Sequence, residues 1–251
     1  MVNVAFIPAR GGSVGIKNKN LQKVGGKTLI KRSLEHAATS DNFDTIVVST
    51  DSFDIASEIF PSISFKEFGN FLDDELILID SKLFLHKRKT EQAQVLSPIR
   101  DVLFDISHKI DYNCLWLLQP TSPFREILEF LTIGQVVSKL TKSNTEWSSI
   151  VSFKSANGYH PDRMVKKIGD YVVPILDQTN GDNAPRQTLD PVYIKDGGFY
   201  VLKKENLDNK IMLGDRIIPF IREGIKTINI DSLDELKKAQ ESEEVKHGNN
   251  R

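Results

Sequence analysis

The chain lacks most of what would mark a secreted, membrane-bound or nucleic-acid-binding protein. Its 251 residues contain a single cysteine, Cys114, so no internal disulfide can form. That cysteine begins the apolar run CLWLLQ and reads as a small buried hydrophobe. Lys and Arg number 33 against 34 Asp and Glu, a formal net charge of −1. No global charge excess draws the chain to nucleic acid or to a membrane surface, so an anion site has to be a local cluster. No apolar stretch approaches a bilayer span, and no signal peptide is read before Arg10; the expected location is the cytoplasm. The five histidines, at 36, 86, 108, 160 and 247, show no metal-binding spacing. His160, ahead of Pro161, reads as a turn residue, and Trp116 and Trp147 as core or interface. What remains is an ordinary globular composition, 39% hydrophobic and 27% charged. The length suits one large α/β domain, alone or with a small appendage.

Apolar periodicity alternates along the first half. NVAFIP (3–8) reads as a buried strand, TLIKRSLEHAATS (28–40) as a helix and TIVVST (45–50) as a strand. DSFDIASEIF (51–60) follows as a helix with Asp51 or Ser52 as N-cap. YNCLWLLQPTSP (112–123) is a strand stopped by two prolines, and REILEFLTIGQVVSKL (125–140) is a helix. This order predicts right-handed βαβ units and a mostly parallel sheet with flanking helices. Ligands of such sheets bind at the carboxyl ends of the strands. The loops 8–20 and 119–125 leave those ends, so they are expected to meet in space. Beyond Ser148 the pattern changes to short β-like runs and turn-rich stretches, GYHPDR and QTNGDNAPRQTLDP, read as a small subdomain or arm at about 150–190. GGFYVLKK and KTINID are expected to return as strands to the main sheet. SLDELKKAQESEE reads as a last amphipathic helix, with 241–251 as a tail and 1–240 as one domain.

The first loop, PARGGSVGIKNKN, joins three glycines to Arg10, Lys17 and Lys19. Glycines let the backbone turn tightly and aim successive N–H groups at one anion. Arginine and lysine add charge-assisted donors. The pattern suits a nucleotide triphosphate, but from the glycines alone a tight turn with solvated basic residues reads equally well. The loop lacks the G-x-G-x-x-G spacing of dinucleotide folds. VGGKT (24–28) lacks the earlier glycine of a Walker loop, because position 21 is Leu21; it reads as a turn into the next helix.

IPARGGSVGIKNKN, VSTD, LLQPTSPFR, HPDRM, PRQ and INIDSLDEL, in this order, resemble the CMP-sialic acid synthetases (acylneuraminate cytidylyltransferases) over most of residues 3–240. The resemblance implies a Rossmann-like nucleotidyltransferase fold with a protruding β-rich dimerisation arm. It implies transfer of CMP from CTP to the anomeric hydroxyl of a nine-carbon 2-keto sugar acid, releasing pyrophosphate, in a homodimer. Arg10, Gly11, Gly12, Ser13, Lys19 and Asn20 match positions that hold the nucleotide and its phosphates. Gln119 and Ser122 match the motif facing base and sugar. Arg186, Gln187 and Tyr193 match the return of the arm to the sugar pocket. Asp231 matches a carboxylate that binds Mg²⁺. Arg10, Lys19 and Asp231 are the expected catalytic set.

The sequence also departs from the family pattern. Val14 stands where a phosphate-contacting lysine is usual, and Lys17 is a candidate to supply the lost charge. Asn229 replaces the first carboxylate of D-x-D. In KRKTEQAQVLSPIRDVL (87–103), Ser97 aligns with a nucleotide-contacting serine and Gln94 with the usual aspartate. Asp196 stands where asparagine is common, beside the expected sugar pocket, which leaves legionaminic, pseudaminic and deaminated sugars open. Segment 60–87 is longer than usual and reads as a lid edge or extra surface. Two alternatives stay open: a nucleotidyltransferase acting on an octulosonate or a sugar phosphate, and a catalytically silent nucleotide-binding subunit.

Overall fold

β1 (Asn3–Pro8) carries Val4, Ala5, Phe6 and Ile7, all fully buried, so it has to be covered on both faces. A computed structural model describes every residue except 157, 177–186, 188 and 249–251, and only the backbone of 244–248. After β1 the chain forms a small hairpin, β2 (Lys23–Val24) and β3 (Lys27–Thr28), then α1 (Leu29–Thr39), β4 (Thr45–Thr50), α2 (Phe53–Ile59) and α3 (Phe65–Asn70). Next come β5 (Leu76–Asp80), β6 (Leu83–Lys87), α4 (Ile99–Ser107), β7 (Cys114–Leu117), α5 (Ile127–Lys142) and β8 (Ser149–Ser155). The remaining elements are β9 (Val165–Ile168), β10 (Tyr171–Pro174), β11 (Tyr193–Lys203), α6 (Lys204–Asp208), β12 (Ile217–Ile221) and α7 (Leu233–Gly248).

Eight strands form one sheet in the order β12-β8-β11-β7-β1-β4-β6-β5. β1 pairs in parallel with β4 and β7, β4 with β6, and β8 with β12; β11 runs antiparallel to β7 and β8, and β5 to β6. The mostly parallel sheet with flanking helices is the expected Rossmann-like nucleotidyltransferase fold. Period-two alternation divides the core. Ala5, Ile7, Ile46, Val48 and Trp116 face Ile30, Ile55, Phe130 and Ile133 of α1, α2 and α5. Val4, Phe6, Val47, Leu115 and Leu117 face Val102, Leu103 and Ile106 of α4. Phe43 meets Trp116 edge-on at 5.3 Å between ring centroids, and Phe130 meets Phe199 at 4.9 Å. Cys114 is buried as expected, and burial pushes its thiol up to about 12.

Two expectations are corrected. Segment 60–87 is neither a lid nor loose surface: it forms α3, β5 and β6 and widens the main sheet, with Leu85 fully buried against β4. KTINID (226–231) is not a strand of the sheet. The returning strands are β11, which carries GGFYVLK as expected, and β12; 226–231 lies outside the sheet and is held by the Ile230 N–H, which donates to the Thr121 carbonyl at 2.8 Å. Ile230 is instead a buried plug, packed with Ile16, Val24, Leu29, Phe124, Leu236 and Ala239. β9 and β10 form a separate two-stranded sheet with every residue exposed, in the stretch expected to be an arm.

Candidate functional site

The loop after β1 is folded by its own sequence. Ile16 turns inward onto the Ile230 cluster, Asn18 adopts a left-handed φ of 50°, and the buried Asn20 donates its amide to the Arg10 carbonyl at 3.0 Å. The loop rides close to two others. A Cβ on Gly11 would lie 2.9 Å from Ser52 Cβ, and one on Gly15 would lie 2.8 Å from the Asp231 carbonyl oxygen. The Gly11 N–H donates to Asp51 Oδ1 at 2.9 Å, tying the loop to the end of β4. Gly12 is different: a Cβ there would meet nothing, so the space beside it is open.

Loops 8–20 and 119–125 meet, as their exits from β1 and β7 require. With the stretch after β6 they enclose a cavity of about 330 Å³, lined among others by Arg10, Ser13, Lys19, Arg88, Ser97 and Gln119. Lys19 donates to Asp231 Oδ1 at 2.8 Å and to the Ile230 carbonyl at 3.2 Å. Arg10 donates to the Gln94 carbonyl at 2.5 Å, across the cleft. Ser97 lines the cleft while its hydroxyl donates to the Glu91 carbonyl at 2.5 Å. Asp231 directly precedes α7. Ser232 and Glu235 form a capping box there: Glu235 accepts from the backbone N–H groups of Asp231 and Ser232, both at 2.9 Å, and the Glu235 N–H donates to Ser232 Oγ at 3.3 Å. The cap fixes the residue before it. Asn229 completes the group, donating to Asp231 Oδ2 at 2.6 Å.

A second layer lies under Gln119. Arg125 is buried and donates to the Gln119 carbonyl at 2.7 Å and to the Gly198 carbonyl at 2.8 Å. Burial, reinforced by the positive Arg222 nearby, lowers its pKa to about 9. Arg222 itself is held above its ordinary value: burial works against its charge, but Glu129 at 2.6 Å and Asp196 at 2.8 Å outweigh it. Asp196 also accepts from Ser152 Oγ at 2.5 Å and the Gly198 N–H at 3.0 Å. Gly197, between them at φ 74°, presses against the loop; a Cβ there would lie 2.8 Å from Ser122 Oγ and 3.2 Å from Gln119 Oε1.

Residues 4–65 match the family model described as cytidylyltransferase. The chain is 26% identical over 229 residues to an N-acylneuraminate cytidylyltransferase of Escherichia coli O18:K1:H7, covering 91% of this chain and 49% of that protein. It is 28% identical over 232 residues to a CMP-N,N'-diacetyllegionaminic acid synthase of Legionella pneumophila, covering 91% and 90%. The chain thus spans about half the length of the first relative and most of the second. A solved CMP:2-keto-3-deoxy-manno-octonic acid synthetase complexed with CTP shares the fold, with a TM-score of 0.65 at 16% identity, covering 98% of this chain and all of that one. The resemblance to the CMP-sialic acid synthetase family is borne out.

Of the residues expected from that family, Arg10, Ser13, Lys19, Asn20, Ser97 and Gln119 line one cleft. Gly11 and Gly12 belong to the same loop, and Asp231 is tied to the cleft through Lys19. Ser122 lies behind it, buried, with its hydroxyl donating to the Asp196 carbonyl at 3.3 Å and to Asn229 Oδ1 at 3.4 Å. Tyr193 is elsewhere: it lines a separate, largely apolar cavity of about 750 Å³ with Tyr159, Pro161, Met164 and Ile194. Gln187 is exposed and lines neither cavity, and Arg186 lies outside the described residues. Val14, 75% exposed, lines the cleft, whereas Lys17 does not. Asp196 is no free sugar-facing group, since Arg222, Ser152 and Gly198 use its carboxylate.

Arg88 is the residue the sequence reading missed. It is only 4% exposed, lines the cleft, and has no carboxylate in ion-pair contact among the described residues. It donates instead to Ser49, through Nε to Oγ at 3.1 Å and Nη2 to the carbonyl at 3.0 Å. Burial lowers its pKa to about 10, and Asp51 partly opposes that loss. A desolvated guanidinium facing a cavity is suited to an anion. Its position one residue past β6 was the available signal, hidden because β6 itself went unread.

Proposed function

We propose that the chain transfers CMP from CTP to the anomeric hydroxyl of a nine-carbon 2-keto sugar acid of the sialic or legionaminic type, releasing pyrophosphate. One observation carries this reading: Arg10, Lys19 and Arg88 converge on one cleft that Gly12 leaves open and Gln119 borders. In-line displacement at the α-phosphorus asks the protein mainly for positioning and charge neutralisation. Arg10 and Arg88, both lining the cleft, neutralise the triphosphate. The Gly12 N–H approaches its oxygens, since the Gly11 N–H is bonded to Asp51 and the Ser13 N–H to the Gly11 carbonyl. Lys19 holds the α-phosphate while pyrophosphate departs. Gln119, an uncharged donor and acceptor, reads a sugar hydroxyl or carbonyl.

Asp231 fits a Mg²⁺ that takes its other ligands from phosphates and water: its side chain is 62% exposed and supplies a hard oxygen. Asn229 steadies this carboxylate through its amide nitrogen while its own Oδ1 faces Ser122. Bound there, the ion would neutralise charge on the leaving pyrophosphate. We further read β9 and β10, whose Tyr171 and Val172 are exposed, as the arm of a homodimer, and place the protein with its CTP in the cytoplasm.

The test is pyrophosphate release from CTP and Mg²⁺ with a panel containing neuraminic, legionaminic and pseudaminic acids and an octulosonate. Release with a nine-carbon acid is expected. Release with the octulosonate alone would reassign the substrate, and a flat response across the panel would overturn the enzyme reading.

A further inference from the structure

His86 is fully buried on β6, in register beside Ser49 of β4. Its Nδ1 lies 2.9 Å from Ser49 Oγ and its Nε2 lies 3.0 Å from Asp74 Oδ1. This is the order of a hydrolytic Ser-His-Asp triad, but Ser49 is fully buried and its oxygen already accepts from Arg88. No substrate reaches it, so nucleophilic catalysis is excluded. The direction of the chain is set from the far end. Asp74 accepts from Lys109 at 3.0 Å and Lys89 at 3.3 Å, and these contacts with His86 hold it ionised against its burial. An ionised carboxylate only accepts, so Nε2 carries the proton and Nδ1 is left as an acceptor. Ser49 then donates to Nδ1 and turns a lone pair to Arg88 Nε.

We propose that His86 is a positioning residue whose Nε2–H tautomer, fixed by Asp74, orients Ser49 so that it holds the Arg88 guanidinium in the nucleotide cleft. This rests on the CTP reading above. The wiring answers a question the cleft raises: among the described residues no carboxylate pairs with Arg88 to aim it, and a guanidinium loose by an ångström would lose its grip on a phosphate or a base. The relay aims it without neutralising it, because among the described residues its guanidinium donates only to uncharged oxygens of Ser49.

Three variants test the relay. Asp74 has a left-handed φ of 68°, which asparagine tolerates, so Asp74→Asn keeps the backbone while allowing either tautomer of His86. His86→Leu removes the acceptor, and His86→Gln restores an uncharged acceptor and donor. In long-range ¹H–¹⁵N spectra of the ligand-free wild type, His86 is expected to show the Nε2–H form; an Nδ1–H form overturns the proposal without any assay of activity. With CTP and Mg²⁺, Asp74→Asn and His86→Leu should raise KM for CTP about 2- to 10-fold, the worth of one hydrogen bond, with kcat little changed, and His86→Gln should recover most of it. A wild type that binds no CTP by calorimetry sinks the nucleotide reading. A wild type that binds CTP while folded Asp74→Asn and His86→Leu proteins bind it equally well sinks the relay.

Discussion

Lys19 Nζ lies 2.8 Å from Asp231 Oδ1, across more than two hundred residues of sequence, and joins the first loop of the chain to the last. The contact is half-exposed, so as an ion pair it adds little stability. Its value is geometric: it keeps a cation and a carboxylate side by side where a polyphosphate and a divalent ion would arrive together. Lys19→Met is therefore expected to leave the urea midpoint nearly unchanged while lowering kcat for CTP consumption by about 10²-fold. Asp231→Asn should shift the Mg²⁺ concentration for half-maximal turnover upward. Equal activity of both variants and the wild type would remove these residues from the site.

The buried set Arg222, Glu129 and Asp196 behaves in the opposite way. Its members touch no cleft-lining atom but support the backbone that does. Removing the guanidinium strands two buried carboxylates, so Arg222→Met should cost about 3–5 kcal/mol of unfolding free energy in urea melts. Asp196→Asn keeps acceptors for Ser152 and Gly198 and leaves Arg222 paired with Glu129, so its cost should be clearly smaller. The reverse ranking would mean that Asp196 faces substrate after all.

Gly197 ties that support to the site. Its φ of 74° and the 2.8 Å approach to Ser122 Oγ leave no room for a Cβ. Gly197→Ala should lose about 1–2 kcal/mol from the left-handed backbone alone. It should also raise KM for the sugar acid more than KM for CTP, because Gln119 Oε1 is the next atom displaced. A uniform loss in both constants would point to general unfolding.

How much of this was legible in the sequence depended on whether the signal was local. β1, α1, β4 and α5 announce themselves through apolar periodicity, and the meeting of loops 8–20 and 119–125 followed from strand exits alone. β5 and β6 were missed because LILID and LFLHK are short runs, and the place of β6 beside β4 is a long-range pairing. Arg88 was lost with them. KTINID was misread because its apolar residues alternate like a strand's, whereas Ile230 serves a small cluster under the first loop. Asp196 was read as bordering the sugar pocket from its place in the family pattern; its partner Arg222 is visible only in space.

The β9–β10 hairpin offers a test of assembly. Tyr171 and Val172 are 79% and 63% exposed, an apolar surface that a lone molecule leaves wet. A Tyr171→Asp, Val172→Asp double variant should elute as a monomer in light-scattering chromatography if the wild type is a dimer built on this arm. A dimer that survives both charges would place the interface elsewhere.

His36 gives the fold a pH dependence of calculable sign. Burial, followed by the positive charges of Arg125, Arg32, Arg222 and Lys27, lowers its pKa to about 3. The unfolded chain binds a proton at His36 near pH 6.5 that the folded protein refuses. Stability from this group is thus complete above pH 6.5 and falls as the pH drops toward 3, by up to about 1.4 kcal/mol per pH unit. His86, also lowered by burial, adds to the same trend. Urea melts of the wild type from pH 7.5 to 4.5 should show midpoints that decline below pH 6.5. His36→Leu should flatten that decline, while the wild-type slope persisting in the variant would mean that His36 is protonated in the native state.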